Sequence, residues 1–346
     1  MKKFSMLAAF AAFSLGTSLS FADTVVTKDG SKLVGKITQL NGANIVLKTN
    51  AAGDVKIKTA EVVSLATDAP MNVRLGNGAV ALGAASMGAP GTLVINTAQG
   101  PVTTGMDKVT QTWAAGAKDP ELVKLEHHWN YEAGMDITGK AGNSEQFGTS
   151  LSFRATCKSS YDVLQLYTGY DRQVTDGAKS TDQGRLGADY QNNFSGRFSW
   201  YARDELGFNH IKAINLYNTA AAGLGYYVVK TKADSLTFRA GLAHRYEGYS
   251  TAGAGSLNAL ALDIGLINDL TMKTWSMHNL ITYTPSVNDF TTYRFYHESY
   301  IQLPLASPRW KFRVGVSNDY HSPPPEGAAK GRRLDTTYFA RLILTW

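Results

Sequence analysis

A single cysteine, Cys157, serves the whole chain of 346 residues. No intrachain disulfide can form, although an exported compartment would permit one. Cys157 shares the phase of Leu151, Phe153 and Ala155, so it reads as a small outward hydrophobe and not as a reactive thiol. Past the first two dozen residues the chain also lacks any uninterrupted apolar run that could cross a bilayer as a helix. That excludes a helical membrane protein but not a transmembrane β-barrel, whose alternating strands escape hydropathy windows. Charge is sparse, at 18% of residues, against the usual quarter. The net charge of +6 is spread along the chain among acids, which is no footprint for nucleic acid.

Catalytic signatures are missing too. There is no G-x-S-x-G, H-E-x-x-H or phosphate-cradling loop. His127 and His128 are strand neighbours and point to opposite faces, so they cannot readily share a metal. His321-Ser322 suggests a dyad, but sequence neighbours seldom have proton-transfer geometry. His278 and His297 could face each other across strands, yet spacing places no serine or acid beside them. No catalytic, cofactor-binding or metal residue is expected, and no cofactor.

What is present begins with an export signal. Lys2 and Lys3 precede an apolar, small-residue stretch from Met6 to Leu19, and Ser20-Phe21-Ala22 fits the small-x-small cleavage rule. The expected organisation is a signal peptide at 1–22, a duplicated β-module with linker at 23–120, and a barrel at 121–346. The duplication runs over 23–68 and 69–113. Val25-Val26-Thr27-Lys28-Asp29-Gly30, Gly35 and Ile45-Val46-Leu47-Lys48-Thr49 recur as Val73-Arg74-Leu75-Gly76-Asn77-Gly78, Gly83 and Leu93-Val94-Ile95-Asn96-Thr97. Asp-Gly and Asn-Gly are strong hairpin signals. Each unit reads as three strands, marginal as a lone core, so the two either pack together or form small SH3-like barrels in series. The module reads as a structural collar or as a binder of a periplasmic partner.

From Leu122 the chain breaks into about twelve alternating segments, which predicts an all-β fold with an antiparallel transmembrane β-barrel. The last strand is the clearest. Tyr338, Leu342, Leu344 and the terminal Trp346 share one apolar phase, and the terminal ring suits a lipid–water boundary. This strand is expected to contact outer-membrane lipid and the barrel-assembly machinery. Short turns near Ser159-Ser160, Asn192-Asn193, Ala233-Asp234, Lys273-Thr274 and Ser307-Pro308 alternate with longer loops at 139–144, 176–181, 206–211, 248–256, 285–291 and 321–333. Such alternation places the longer loops outside the cell and residues 23–120 in the periplasm. The polar phase puts Arg154, Arg197, Arg203, Arg239, Arg245, Glu247, Asp263, Arg294, Glu298, Lys311, Arg313 and Arg341 in the lumen, with Glu205. They line either a narrow wet pore or a salt-bridged plug.

Several motifs occur in a characteristic order. They are Asn130-x-x-x-Gly134-x-x-x-x-Gly139, Gly142-Asn143-Ser144-Glu145, Arg197-x-x-x-Tyr201-x-x-Asp204-Glu205, Gly223-Leu224-Gly225-Tyr226, and Gly241 with Tyr246-Glu247. Pro323-Pro324-Pro325 and Asp335 follow. In these the chain, from 122 to 346, resembles the salt-induced outer-membrane protein family, otherwise labelled a domain of unknown function. The repeat, with Gly30, Gly35, Gly53 and Val62-Val63-Ser64-Leu65, resembles the small β-module often found ahead of it. The resemblance implies an outer-membrane location in a Gram-negative-type envelope and a link to salt or osmotic stress; it brings no catalytic residues. The functional expectation is a narrow pore or an envelope-integrity protein. The alternatives are a lipid-modifying or hydrolytic outer-membrane enzyme, or a non-conducting scaffold.

Overall fold

The computed structural model describes residues 22–140, 142, 145–322 and 333–346, and of 138–140 only the backbone. The export signal expected over 1–22 lies, except for Ala22, outside the described residues. So does most of the loop that holds the three prolines. Contacts divide the chain into two units, Met1–Val123 and Lys124–Trp346.

The first unit is a ten-stranded antiparallel sheet. Its first copy is β1 (Asp23–Thr27), β2 (Lys32–Leu40), β3 (Asn44–Thr49), β4 (Gly53–Lys58) and β5 (Val62–Ala66). Its second is β6 (Met71–Leu75), β7 (Val80–Met87), β8 (Thr92–Thr97), β9 (Gly100–Gly105) and β10 (Val109–Ala114). Each copy thus has five strands, not three. A single 3-10 turn, Thr59–Glu61 or Met106–Lys108, returns the chain to a last strand that pairs with the first. The expected hairpins form at Asp29-Gly30 and Asn77-Gly78, where the glycines take φ of +84° and +87°. The amide of Gly30 donates to Thr27 O and that of Gly78 to Leu75 O, both at 2.9 Å.

The copies do not make barrels in series; they share one core. Val25, Leu47 and Leu65 of the first and Val73, Leu93 and Ile95 of the second are all fully buried in one cluster. Bonds cross between copies in both senses. Leu40 N–H donates to Thr112 Oγ1 at 2.9 Å, and Ala85 N–H donates to Thr67 Oγ1 at 2.8 Å. A unit of about 45 residues buries too little apolar surface alone; pairing two supplies the missing half.

A short helix, α1 (Pro120–Leu125), spans the boundary between the two units. A closed antiparallel barrel of twelve strands follows. These are β11 (His128–Lys140), β12 (Gln146–Lys158), β13 (Asp162–Thr175), β14 (Ala178–Ser195), β15 (Phe198–Asn209), β16 (Ile214–Lys230), β17 (Asp234–Tyr249), β18 (Leu257–Thr271), β19 (Ser276–Pro285), β20 (Tyr293–Pro304), β21 (Trp310–His321) and β22 (Leu334–Thr345). Alternation along each strand sends one phase out and the other in. Leu151, Leu186, Leu224, Leu242 and Leu260 are more than half exposed on the outside, whereas Arg245, Asp263 and Arg239 are buried within. A barrel in water would reverse this arrangement; lipid favours it.

The tight end of the barrel carries the connections 159–161, 196–197, 231–233, 272–275 and 305–309. The other end carries 141–145, 176–177, 210–213, 250–256, 286–292 and 322–333. Both the start of β11 and Trp346 lie at the tight end, where Tyr131 N–H donates to Trp346 O at 3.0 Å. Two expected loops are corrected. Asp176-Gly177 is a two-residue hairpin turn with φ of +50° and +77°, so 178–181 belong to β14 and not to a loop. β15 continues to Asn209, so the connection there is 210–213. The expected turn at Asn192-Asn193 is also strand, and the chain turns instead at Gly196-Arg197. Polar residues at these strand ends looked like loops, but they extend the hydrogen-bonded ladder beyond the apolar belt.

Closure is uneven. β11 pairs with β12 along its whole length, from His128↔Lys158 to Lys140↔Gln146. With β22 it pairs only from Glu132↔Thr345 to Met135↔Leu342.

Candidate functional site

The lumen is crossed by side chains that reach between distant strands. Arg185 on β14 places Nη1 2.5 Å from the Tyr296 hydroxyl and Nη2 3.2 Å from Glu298 Oε2, both on β20. In a ring of twelve, β14 and β20 are diametrically opposed. The Tyr296 hydroxyl donates to Glu298 Oε2 at 2.9 Å, and the Arg185 guanidinium lies 5.0 Å from the Tyr296 ring centre. Beside this bridge, Arg294 on β20 donates to Glu205 on β15 at 2.8 Å and forms a two-pronged pair with Asp319 at 3.0 Å. Glu205 also accepts from the hydroxyls of Tyr167, at 2.9 Å, and Tyr217, at 3.2 Å. Planar guanidinium–carboxylate pairing on this scale fixes distance and angle together.

Below this belt, towards the tight end, the lumen widens into a vestibule of about 720 Å³. Its wall is tied by further pairs. Arg203 pairs with Asp263, which also accepts from the Tyr201 hydroxyl at 2.7 Å. Arg239 donates to both oxygens of Asp189, at 2.6 and 3.1 Å, and to Gln191 Oε1. Arg154, Lys158 and Lys232 also line the vestibule. They have no ion-pair partner within 4 Å among the described residues. Arg154 is within electrostatic reach of Glu298 and Glu132 but hydrogen-bonded to neither.

Above the belt the interior is filled, and the two cavities that adjoin it are about 50 Å³ each. Arg245, 1% exposed, donates to Glu247 at 2.8 Å and to the carbonyl of Thr284. His321 sits between carboxylates, with Nδ1 3.2 Å from Glu247 and Nε2 3.3 Å from Asp319. Both ring nitrogens are thus engaged by acids, and Ser322 is no partner of this histidine. Lys212 reaches in from the 210–213 connection to Asp335 at 2.9 Å. Among the described residues no group of three His, Cys, Asp or Glu side chains could hold a metal ion.

Of the residues expected in the lumen, Arg203, Asp263, Arg239, Arg245, Glu247, Arg294 and Glu298 meet there as described. Arg313 donates to Gln302 Oε1 and to Glu132 at 2.9 Å. Arg341 donates to Ser150 Oγ at 2.9 Å. Lys311 is half-buried on the same phase, within reach of the Glu132 charge. Arg197 is different: it is exposed in the 196–197 turn, because β14 runs further than expected. Of the C-terminal set, Tyr338 projects outward at 82% exposure, and Trp346 stacks on Tyr131 with centroids 5.8 Å apart. His278 and His297 do not face each other. His278 bonds Asp269 at 2.7 Å, while His297 bonds Ser299 and Asn318.

Sequence reasoning missed Arg185, Asp189 and the inward tyrosines 167, 201, 217 and 296. The signal was available: Tyr296 and Glu298 share a phase in β20, and Arg185 stands between Gly184 and Leu186 in alternation. Tyrosine serves twice in this barrel: on the outer face, as at Tyr338, and as a hydroxyl donor inside the charged lumen.

No curated protein matches the chain. Solved structures similar to it include the KdgM porin, at 13% identity over 63% of this chain and 98% of that one, with a TM-score of 0.33. The NanC porin has 9% identity over 63% and 99%, at a TM-score of 0.35. The translocator domain of the autotransporter NalP from Neisseria meningitidis has 13% identity over 63% and 88%, at 0.32. The family model described as a protein of unknown function, DUF481, matches residues 131–346, and the chain belongs to that family.

Proposed function

We propose that the protein is an outer-membrane β-barrel of a Gram-negative-type envelope that serves as a narrow pore, shut at rest by the contacts of Arg185 across its lumen. The observation that carries this reading is the reach of Arg185 from β14 to Tyr296 and Glu298 on the opposite strand. A single rearranging side chain there would join the vestibule to the cavities beyond it. Arg154, Lys158 and Lys232, which among the described residues have no ion-pair partner within 4 Å, line the vestibule, so anions are the favoured permeant ions. In this reading residues 23–120 lie in the periplasm, since the barrel begins and ends at its tight end. The vestibule then opens to the periplasm. The C-terminal strand engages the assembly machinery, and the repeat module is free to hold a periplasmic partner.

Planar-bilayer recording on the folded protein tests the proposal. Wild type should give small, infrequent openings with anion preference in a salt gradient. Replacing Arg185 and Glu298 together by Gln should raise open probability several-fold. A heat-modifiable, folded barrel that never conducts in either form would reject the pore. That outcome would favour the second reading, a stiff structural barrel for envelope integrity, which the density of cross-lumen ion pairs also supports. The tie to salt stress rests on the resemblance alone. Growth of a deletion strain at raised salt, compared with its parent, tests it.

A further inference from the structure

The seam between β11 and β22 is open towards the looped end. Their pairing stops at Met135↔Leu342. Beyond it β11 continues for five residues, 136–140, which among the described residues pair only with β12, while β22 from 334 to 341 pairs only with β21. At a rise of about 3.4 Å per residue the unzipped edge of β11 runs roughly 17 Å. Outward side chains on both edges are still apolar: Ile137 is 59% exposed and Leu334 47%. Bare strand edges at membrane depth leave amides and carbonyls without partners, which lipid cannot supply, so barrels ordinarily close fully. An unclosed seam therefore calls for an occupant.

The surroundings of the seam say what kind. On the outer wall an apolar groove of about 430 Å³ crosses the last paired residues, lined by Met135, Leu151, Phe153, Tyr170, Trp310 and Leu342. Gly134 and Gly169 line both this groove and a small cavity on the lumen side, with Ile343 and Ser152 packed over Gly134. At the inner lip stands Arg341, the first residue of β22 past the paired stretch. Among the described residues its Nε is buried without a hydrogen-bond partner, while its Nη2 is held by Ser150 and lies 3.6 Å from Asp171 Oδ1. The lumen wall beside it carries the buried apolar side chains Phe339 and Ile343 in an otherwise charged interior. An apolar channel outside, a gap in the ladder, and a cation with a spare donor within make an amphipathic path.

We propose that the open seam is a lateral binding site for a single-chain anionic amphiphile. Its acyl chain lies in the outer groove, and its carboxylate enters the gap to meet Arg341. This does not depend on the pore: a non-conducting barrel could hold the same ligand.

The gap and the ligand are tested separately on full-length protein in a Cys157→Ser background. Mild oxidation should cross-link Ala133→Cys with Leu344→Cys, which are ladder partners. It should leave Ile137→Cys with Ala340→Cys uncross-linked, since these two lie past the end of the ladder and are not partners in it. Equal cross-linking of both pairs would overturn the proposal. Native mass spectrometry with dodecanoate should show one retained adduct, at least fivefold more than with dodecanol. Arg341→Gln should abolish that preference and Lys232→Gln should not. Equal retention of acid and alcohol by wild type, or an unchanged preference in Arg341→Gln, would overturn it. If Arg341→Gln does not fold, Met135→Trp, which fills the groove from the lipid side, must lower dodecanoate retention as much. Undiminished binding by that variant would sink the proposal.

Discussion

Arg185 and Glu298 stand on opposite walls of the barrel, six strands apart in either direction, and meet at 3.2 Å. A pair of this kind measures the lumen: one arginine and one glutamate, with a tyrosine between, span it. It also couples distant strands directly, so the interior is braced across as well as laddered around. Removing one member leaves the other charged in a confined space, where the cost is that of an unpaired buried ion.

For this pair, Arg185→Gln should destabilise the folded barrel by about 3–5 kcal/mol. Adding Glu298→Gln should recover most of the loss. A double-mutant cycle on urea unfolding, followed by heat-modifiability on gels, measures the coupling; additive losses would mean that the two side chains do not interact.

From the sequence alone, Arg239, Arg245 and Arg313 fit either solvated cations that set ion preference in a wet pore or members of a salt-bridged plug. Their side chains are 8%, 1% and 9% exposed and pair with Asp189, Glu247 and Glu132. The triple replacement by Gln should therefore fail to give a heat-modifiable barrel, each broken pair costing on the order of 3–5 kcal/mol. A folded triple mutant with altered reversal potential would restore the solvated picture.

Topology is open to labelling in a Cys157→Ser background. Single cysteines in 250–256 and 286–292 should react with an impermeant thiol reagent on intact cells. Cysteines at Ser160 and Thr274, both at the tight end, should react only after the outer membrane is permeabilised. The opposite pattern would invert the orientation.

Mature protein should begin at Asp23, as N-terminal sequencing would show. That residue has work in the fold: its carboxylate accepts from Ile37 N–H at 2.7 Å and from Asp68 N–H at 3.0 Å. Asp23→Ala should lower the stability of the repeat unit by about 1–3 kcal/mol, because two inward-facing donors lose their acceptor. Unchanged thermal unfolding would show that water replaces it.

Much of the barrel was legible because period-two alternation is a local property. Leu151, Phe153 and Ala155 against Ser152 and Arg154 fix a strand and its faces without knowledge of any neighbour. Strand ends were less legible. Lys179, Ser180 and Thr181 are polar on both phases, and only the hairpin at Asp176-Gly177 reveals that Lys179 and Thr181 are still paired, with Ser180 bulged between them. The lumen was legible as a set of charges but not as a set of pairs. Whether Arg313 meets Glu132 or water depends on barrel closure, which joins residues 181 apart in sequence. The four-pair seam had no signature at all, since β11 and β22 both carry regular alternation past the point where their ladder stops.

The shared core of the repeat module has a consequence for inheritance. Leu40 and Ala85 each satisfy an amide with a threonine hydroxyl from the far side of the junction between copies. A chain that lost one copy would expose Val25, Leu47 and Leu65, or Val73, Leu93 and Ile95, and leave such donors bare. The duplication cannot drift back to a single copy by simple deletion. If the ancestral unit was a single copy, its surviving form would have been a homodimer, two identical chains closing one core before one gene encoded both.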